Sequence, residues 1–103
     1  MSTDEIFATL ANGVRRELLV ILAEGPRNAG ALAAEFDLSR PAISEHLHIL
    51  EEASLVVGVK RGRERHYHLN PEPLAELTEW LHPFERYWRD RLSDLADILE
   101  EHP

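Results

Sequence analysis

Arg40, Ser44 and His48 recur at every fourth position after Ser39, with Glu45 beside them. A helix through this stretch brings all four to one edge. Their chemistry is that of polar recognition. A guanidinium donates two parallel hydrogen bonds to guanine O6 and N7, a hydroxyl reaches a base or a phosphate, and a carboxylate accepts from cytosine N4. His48 can meet a phosphate or a base edge. A second group follows in KRGRER, Lys60–Arg65, where four of six residues are basic. Lys60, Arg61, Arg63 and Arg65 suit phosphate contact or entry into a minor groove. Each group also has a plainer reading, as a solvated helix face and a solvated charge run. Their closeness in the chain favours joint use.

The helix needs a start and a buried side. Ser39 is a suitable N-cap, and Pro41 falls in the first turn, where its missing N–H costs nothing. Ile43, Leu47 and Leu50 form the apolar stripe opposite the polar edge, and the helix runs to about Ala53. His46 lies beside that stripe and reads as a half-buried, hydrogen-bonded histidine. Upstream, Asn28 caps a helix that buries Leu32, Ala33 and Phe36, and a tight Asp37–Leu38 turn joins the two. The small residues Ala29, Gly30, Ala31, Ala33 and Ala34 permit close packing there. Two short helices joined so tightly predict a helix-turn-helix, whose second helix enters a DNA major groove. Ser39, Arg40, Pro41, Ser44, Glu45 and His48 are then the candidate contacts of that helix.

The flanking segments complete the pattern. Asp4–Ala11 places Ile6, Phe7 and Leu10 on one side of a short helix. Asn12–Gly13 breaks it, and Asn12 caps a second helix through Val14, Leu18, Ile21 and Leu22, which Gly25–Pro26 stops. Leu55–Val59 and Glu64–Leu69 read as two strands of a hairpin with its tip at Gly62–Arg63. Leu74, Leu77, Leu81, Phe84, Trp88, Leu95 and Ile98 then fall in alternating steps of 3 and 4, with Arg91 occupying the one skipped place, along a helix from Glu72 to about Glu101. Pro83 lies inside it and predicts a kink or a break. The chain divides into N-terminal helices (1–24), a helix-turn-helix (28–53), a wing (55–70) and a C-terminal helix (72–101), as one domain over 1–103.

The totals narrow the function class. With 103 residues, 44% of them hydrophobic, one domain with a modest core is expected. No apolar run approaches the roughly 20 residues a membrane span needs, and Met1–Glu5 has no signal-peptide pattern, so the default is a cytoplasmic protein. The absence of cysteine removes disulfides, thiolate nucleophiles and cysteine-based zinc sites. Net charge is −8, yet residues 1–71 carry only −2 of it and residues 72–103 carry −6. A basic prong on an acidic body can still dock on phosphate. There is no Gly-rich phosphate loop and no Ser-His-Asp cue, and Asp90, Asp94 and Asp97 read as a solvated helix side. An enzyme is not expected.

The order helix, helix, helix-turn-helix, hairpin, long helix resembles the ArsR/SmtB family of small dimeric bacterial repressors. IFATLANGVRRELLVIL (Ile6–Leu22), LAAEFDLSRPAISEHLHILEEASLV (Leu32–Val56) and VKRGRERHYHLNP (Val59–Pro71) carry the resemblance. It implies a mainly α fold with a small β-hairpin, a winged helix-turn-helix with additional N- and C-terminal dimerisation helices. It also implies a homodimer on a double-stranded, inverted-repeat operator, repressing nearby genes. The first and last helices form the interface in that reading, through Ile6, Phe7, Leu10, Leu77, Leu81, Phe84, Trp88 and Leu95. The apolar load of the last helix independently asks for a partner helix. Glu45 departs from the family, where basic or amide residues are commoner.

No cofactor or metal is expected. Where thiolate-sensing relatives hold metal, this chain has Asn28-Ala29-Gly30. His82-Pro83-Phe84-Glu85 matches half of another sensor pattern by letter, but Leu69 and Pro71 stand where its other ligands belong. His66 and His68 share a strand face, and two ligands are too few for a closed site. The alternatives are a metal-responsive repressor with His and carboxylate ligands, or a protein-interaction module whose helix-turn-helix is vestigial.

Overall fold

The structure, a computed structural model, describes residues 2–101. Helix α1 spans Thr3–Leu10, α2 Gly13–Glu24, α3 Ala29–Phe36, α4 Arg40–Glu52 and α5 Glu72–Glu101. Strands β1 (Arg27–Asn28), β2 (Val56–Arg61) and β3 (Glu64–Leu69) form an antiparallel sheet in the order β1-β3-β2. Where a two-stranded hairpin was expected, there are three strands. Arg27 pairs with Tyr67 and Asn28 with His66. Two residues are too few for strand alternation to be visible in the sequence.

Each of the first four helices opens on a capping side chain. Ser2 Oγ accepts from Glu5 N at 3.2 Å, Asn12 Oδ1 from Arg15 N at 3.2 Å, Asn28 Oδ1 from Ala31 N at 2.8 Å, and Ser39 Oγ from Ala42 N at 3.3 Å. Each satisfies an amide that the helix itself leaves unpaired. Two side chains tie α1 to α2 from the other end. Arg15 Nε and Arg16 Nη1 donate to the carbonyls of Thr9 and Leu10, both at 2.7 Å.

The core draws on every helix and on strands β2 and β3. Ile6, Leu18, Leu32, Ile43, Leu47, Leu50 and Leu55 are fully buried, so α4 gives its whole apolar stripe to the interior. Its C-terminus is closed by Ser54 N–H to Glu51 O at 2.9 Å and Leu55 N–H to Leu50 O at 3.0 Å, with Ser54 left-handed at φ 58°. That is a Schellman closure, sealed by the buried side chains of Leu50 and Leu55. Asn70 locks the same corner, its N–H donating to Leu55 O at 2.9 Å and its Nδ2 to Ser54 O at 2.8 Å.

Helix α5 behaves differently along its length. Leu74 and Leu77 pack on the core, but from Thr78 through Glu100 every residue is exposed. The helix runs through Pro83 without a break. A proline removes one ladder hydrogen bond, here to the carbonyl of Glu79. Glu79 is exposed, so water can serve that carbonyl, and the ladder on either side is long enough to hold. Thirty residues of helix extend about 45 Å. The radius of gyration is 18.2 Å, against about 13 Å for a compact chain of this length. Among the described residues no helix is long and apolar enough to cross a membrane.

Candidate nucleic-acid interface

Burial of Ile43, Leu47 and Leu50 fixes which edge of α4 faces outward. Ser39, Arg40, Pro41, Ser44, Glu45 and His48 are not buried, and Arg40, Ser44 and His48 run down the outer edge at four-residue steps. His48 Nε2 lies 3.1 Å from Glu52 Oε1, one turn on. His46 is half-buried as expected, but the expected hydrogen bond is missing: its Nδ1 is buried without a partner.

The wing stands next to this edge. Arg40 and Ser44 from α4, Asn28 and Gly30 from the start of α3, and Arg63, Glu64, Arg65 and Tyr67 from the wing line one open cleft of about 410 Å³. Gly62, at φ 62°, makes the tip that a side chain would strain. The register pairs Lys60 with Arg65 and Arg61 with Glu64. Among the described residues Lys60, Arg61 and Arg63 take part in no ion pair. Arg65 does: its Nη2 lies 2.7 Å from Glu51 Oε2 on α4. That hydrogen bond, with the Glu51 charge, raises the Arg65 pKa above the usual arginine value.

Glu64 is the one acid in the cleft. It accepts from Asn28 Nδ2 at 3.0 Å and lies 3.1 Å from His66 Nε2. These contacts, Asn28 first, pull its pKa below the ordinary glutamate value. Asn28 therefore caps α3 with its oxygen and holds the wing with its nitrogen. The capping half of that role is readable in sequence; the wing contact is not, because it spans 36 residues. Glu51, Gly58 and Asn70 likewise escape a linear reading.

The expected interface residues divide. Phe7, Leu81, Phe84, Trp88 and Leu95 are exposed. Phe7 meets Trp80 edge to face at 5.3 Å between ring centroids, and Trp80 leans on Phe84 at 4.9 Å. Leu10 and Leu77 are partly buried against the chain's own core. Ile6 is a correction: it has no exposed surface and belongs to that core, because α1 turns it inward onto the shared apolar cluster. Among the described residues no three His, Asp or Glu side chains come together in a metal-binding cluster.

Comparison with known proteins agrees with this architecture. Residues 12–57 match the family model described as "Bacterial regulatory protein, arsR family". The chain is 38% identical over 99 residues to the HTH-type transcriptional regulator Rv2034 of Mycobacterium tuberculosis, covering 96% of this chain and 90% of that one. It is 32% identical over 78 residues to the transcriptional repressor SdpR of Bacillus subtilis, covering 76% and 87%. The solution structure of the homodimeric winged helix-turn-helix DNA-binding domain of Mb0332 from Mycobacterium bovis superposes with a TM-score of 0.67 at 26% identity, over 81% of this chain and 77% of that one. The outward polar edge of α4, the cationic wing and these likenesses place the chain in the ArsR family of winged helix-turn-helix transcriptional regulators.

Proposed function

We propose that the protein is a homodimeric repressor, acting in the cytoplasm on an inverted-repeat operator and catalysing no reaction. Helix α4 of each subunit enters a major groove, the two lying about one helical turn, roughly 34 Å, apart. Arg40 reads a guanine, Ser44 and His48 reach base edges or phosphate, and Glu45 accepts from a cytosine amino group. Ser39 and Pro41 set the helix entry close to the backbone, and the wing tip holds phosphate with Lys60, Arg61 and Arg63. The observation that carries this reading is the division of α4. One side is fully buried at Ile43, Leu47 and Leu50, and the other offers Arg40 and Ser44 to a cleft shared with the wing.

The second subunit covers the apolar face of α5. Trp80, Tyr87, Trp88, Leu92, Leu95, Ile98 and Leu99 are each at least half exposed in the single chain, a larger apolar surface than a small monomer keeps. Pairing of α5 with its copy, beside Phe7 of α1, fixes the distance between the two reading helices. The test is binding to DNA upstream of the protein's own gene, read by fluorescence anisotropy at a series of salt concentrations. Operator affinity should fall steeply as salt rises, as phosphate contacts require. Absence of binding at low salt would sink the proposal.

A further inference from the structure

We propose that Arg65 is a positioning residue: it braces the wing against the reading helix through Glu51, across a gap that Gly58 keeps open, and does not itself contact DNA. The inference rests on the reading of α4 and the wing as the DNA-binding surface.

Strand alternation puts Arg61, paired with Glu64, on the opposite face from Arg65, and Lys60, which pairs with Arg65 and shares its face, takes part in no ion pair among the described residues. Residues 65, 67 and 69 of β3 share a face, paired with residues 60, 58 and 56 of β2. Tyr67 and Val56 on that face are buried, so it is the side of the sheet turned toward the body. Arg65 extends along it, its Cζ 5.9 Å from the centroid of the Tyr67 ring, and ends 2.7 Å from Glu51 Oε2 near the close of α4. The Glu51 side chain is 26% exposed and that of Arg65 49% exposed, so the pair is partly shielded from water. Arg61 and Arg63 lie nearer the tip, beyond this contact.

Gly58 makes the path possible. A Cβ there would fall within 2.6 Å of Arg65 Cζ and Nη2, closer than real atoms approach. The backbone at Gly58 is not left-handed, so the requirement is for room and not for conformation. Three residues far apart in sequence thus set one angle, that of the wing to α4. Both elements must meet the same duplex, so this angle controls whether wing and helix engage it together.

Gly58→Ala and Glu51→Gln test the brace by different routes. Gly58→Ala changes no charge, and the group it meets is the end of a flexible side chain, which swings away and leaves the fold intact. Glu51→Gln keeps the Arg65 cation and makes the chain less acidic, which by charge alone favours DNA. Both should speed amide hydrogen exchange across residues 57–68 without DNA and leave the core helices protected. Both should weaken operator binding by about three- to five-fold per half-site, the usual worth of such a pair, and by about ten-fold or more for the dimer. The double variant should be no weaker than either single one, because both remove the same contact. Arg65→Gln should weaken binding alike while the slope of log affinity against log salt stays at the wild-type value. Wild-type exchange and affinity in Gly58→Ala and Glu51→Gln would overturn the brace. So would a slope reduced in Arg65→Gln by about 0.9 per lost phosphate contact. Failure of the wild type to bind DNA would instead defeat the functional reading, with the exchange measurement still deciding the brace.

Discussion

The Glu64 carboxylate accepts a hydrogen bond from Asn28 Nδ2 at 3.0 Å, joining the wing to the first turn of α3. With β1 paired to β3 at the same place, the wing is anchored at its β3 edge to the segment that opens the helix-turn-helix. An acid in a cleft whose other charged lining residues are Arg40, Arg63 and Arg65 also lowers the local positive potential. Its position is explained by the anchoring, since a phosphate would be repelled by it.

That anchor should titrate. Asn28 first, then His66, holds the Glu64 pKa below the ordinary glutamate value. A carboxylate with a depressed folded pKa contributes stability above its unfolded pKa and loses it as pH falls through the folded value. Thermal melting followed from neutral pH into the acid range should therefore decline through that window. In Glu64→Gln the decline should be shallower. Identical pH profiles for the two proteins would show that the contact does not matter to stability.

Arg40 and Arg63 should separate specificity from grip. Arg40→Ala should cost roughly 1–3 kcal/mol of operator binding and relax preference at the base it reads. Arg63→Ala should weaken operator and unrelated DNA about equally and reduce the salt slope by about one per site. Binding to an operator series with single base changes checks both. If Arg40→Ala keeps the wild-type ranking of sequences, the assignment of Arg40 to a base is wrong.

Leu95 is half exposed on α5, well past the last core contact of that helix at Leu77. Leu95→Glu should therefore spare the fold of the subunit and disrupt its pairing. Sedimentation equilibrium should move from twice the chain mass to 11.8 kDa, and operator affinity should fall with it. A dimer unchanged in mass would place the interface elsewhere.

The legible part of this chain is the part with local causes. The caps at Asn12, Asn28 and Ser39, the stripe Ile43–Leu47–Leu50 and the turn at Gly62 are each set by neighbours within about one helical turn, and each stands as read. Other features depend on partners distant in sequence. The pairing of Arg27–Asn28 with β3 and the reach of Arg65 to Glu51 are of this kind. Ile6 shows a related limit. Spacing placed it with Phe7 and Leu10 on one side of α1, but only the angle of α1 against the core decides that Ile6 is buried and Phe7 exposed. At Pro83 the helix does not break, because the turns on both sides of it continue the ladder.

Ser54 offers a gain in stability. Its φ of 58° closes α4, and a side chain in that region costs about 1 kcal/mol relative to glycine. The hydrogen bonds at this corner come from the main chain at Ser54, Leu55 and Asn70 and from Asn70 Nδ2, so none needs the Ser54 hydroxyl. Ser54→Gly should raise stability by about 1 kcal/mol, less the entropy a glycine adds to the unfolded chain. That is an upward shift of a few degrees in melting temperature, measured at fixed protein concentration because dimerisation couples to unfolding. Leu50→Ala, at the buried contact that seals the same closure, should instead cost about 2–5 kcal/mol. A loss of stability in Ser54→Gly would mean that the hydroxyl, and not the backbone closure, holds the end of the reading helix.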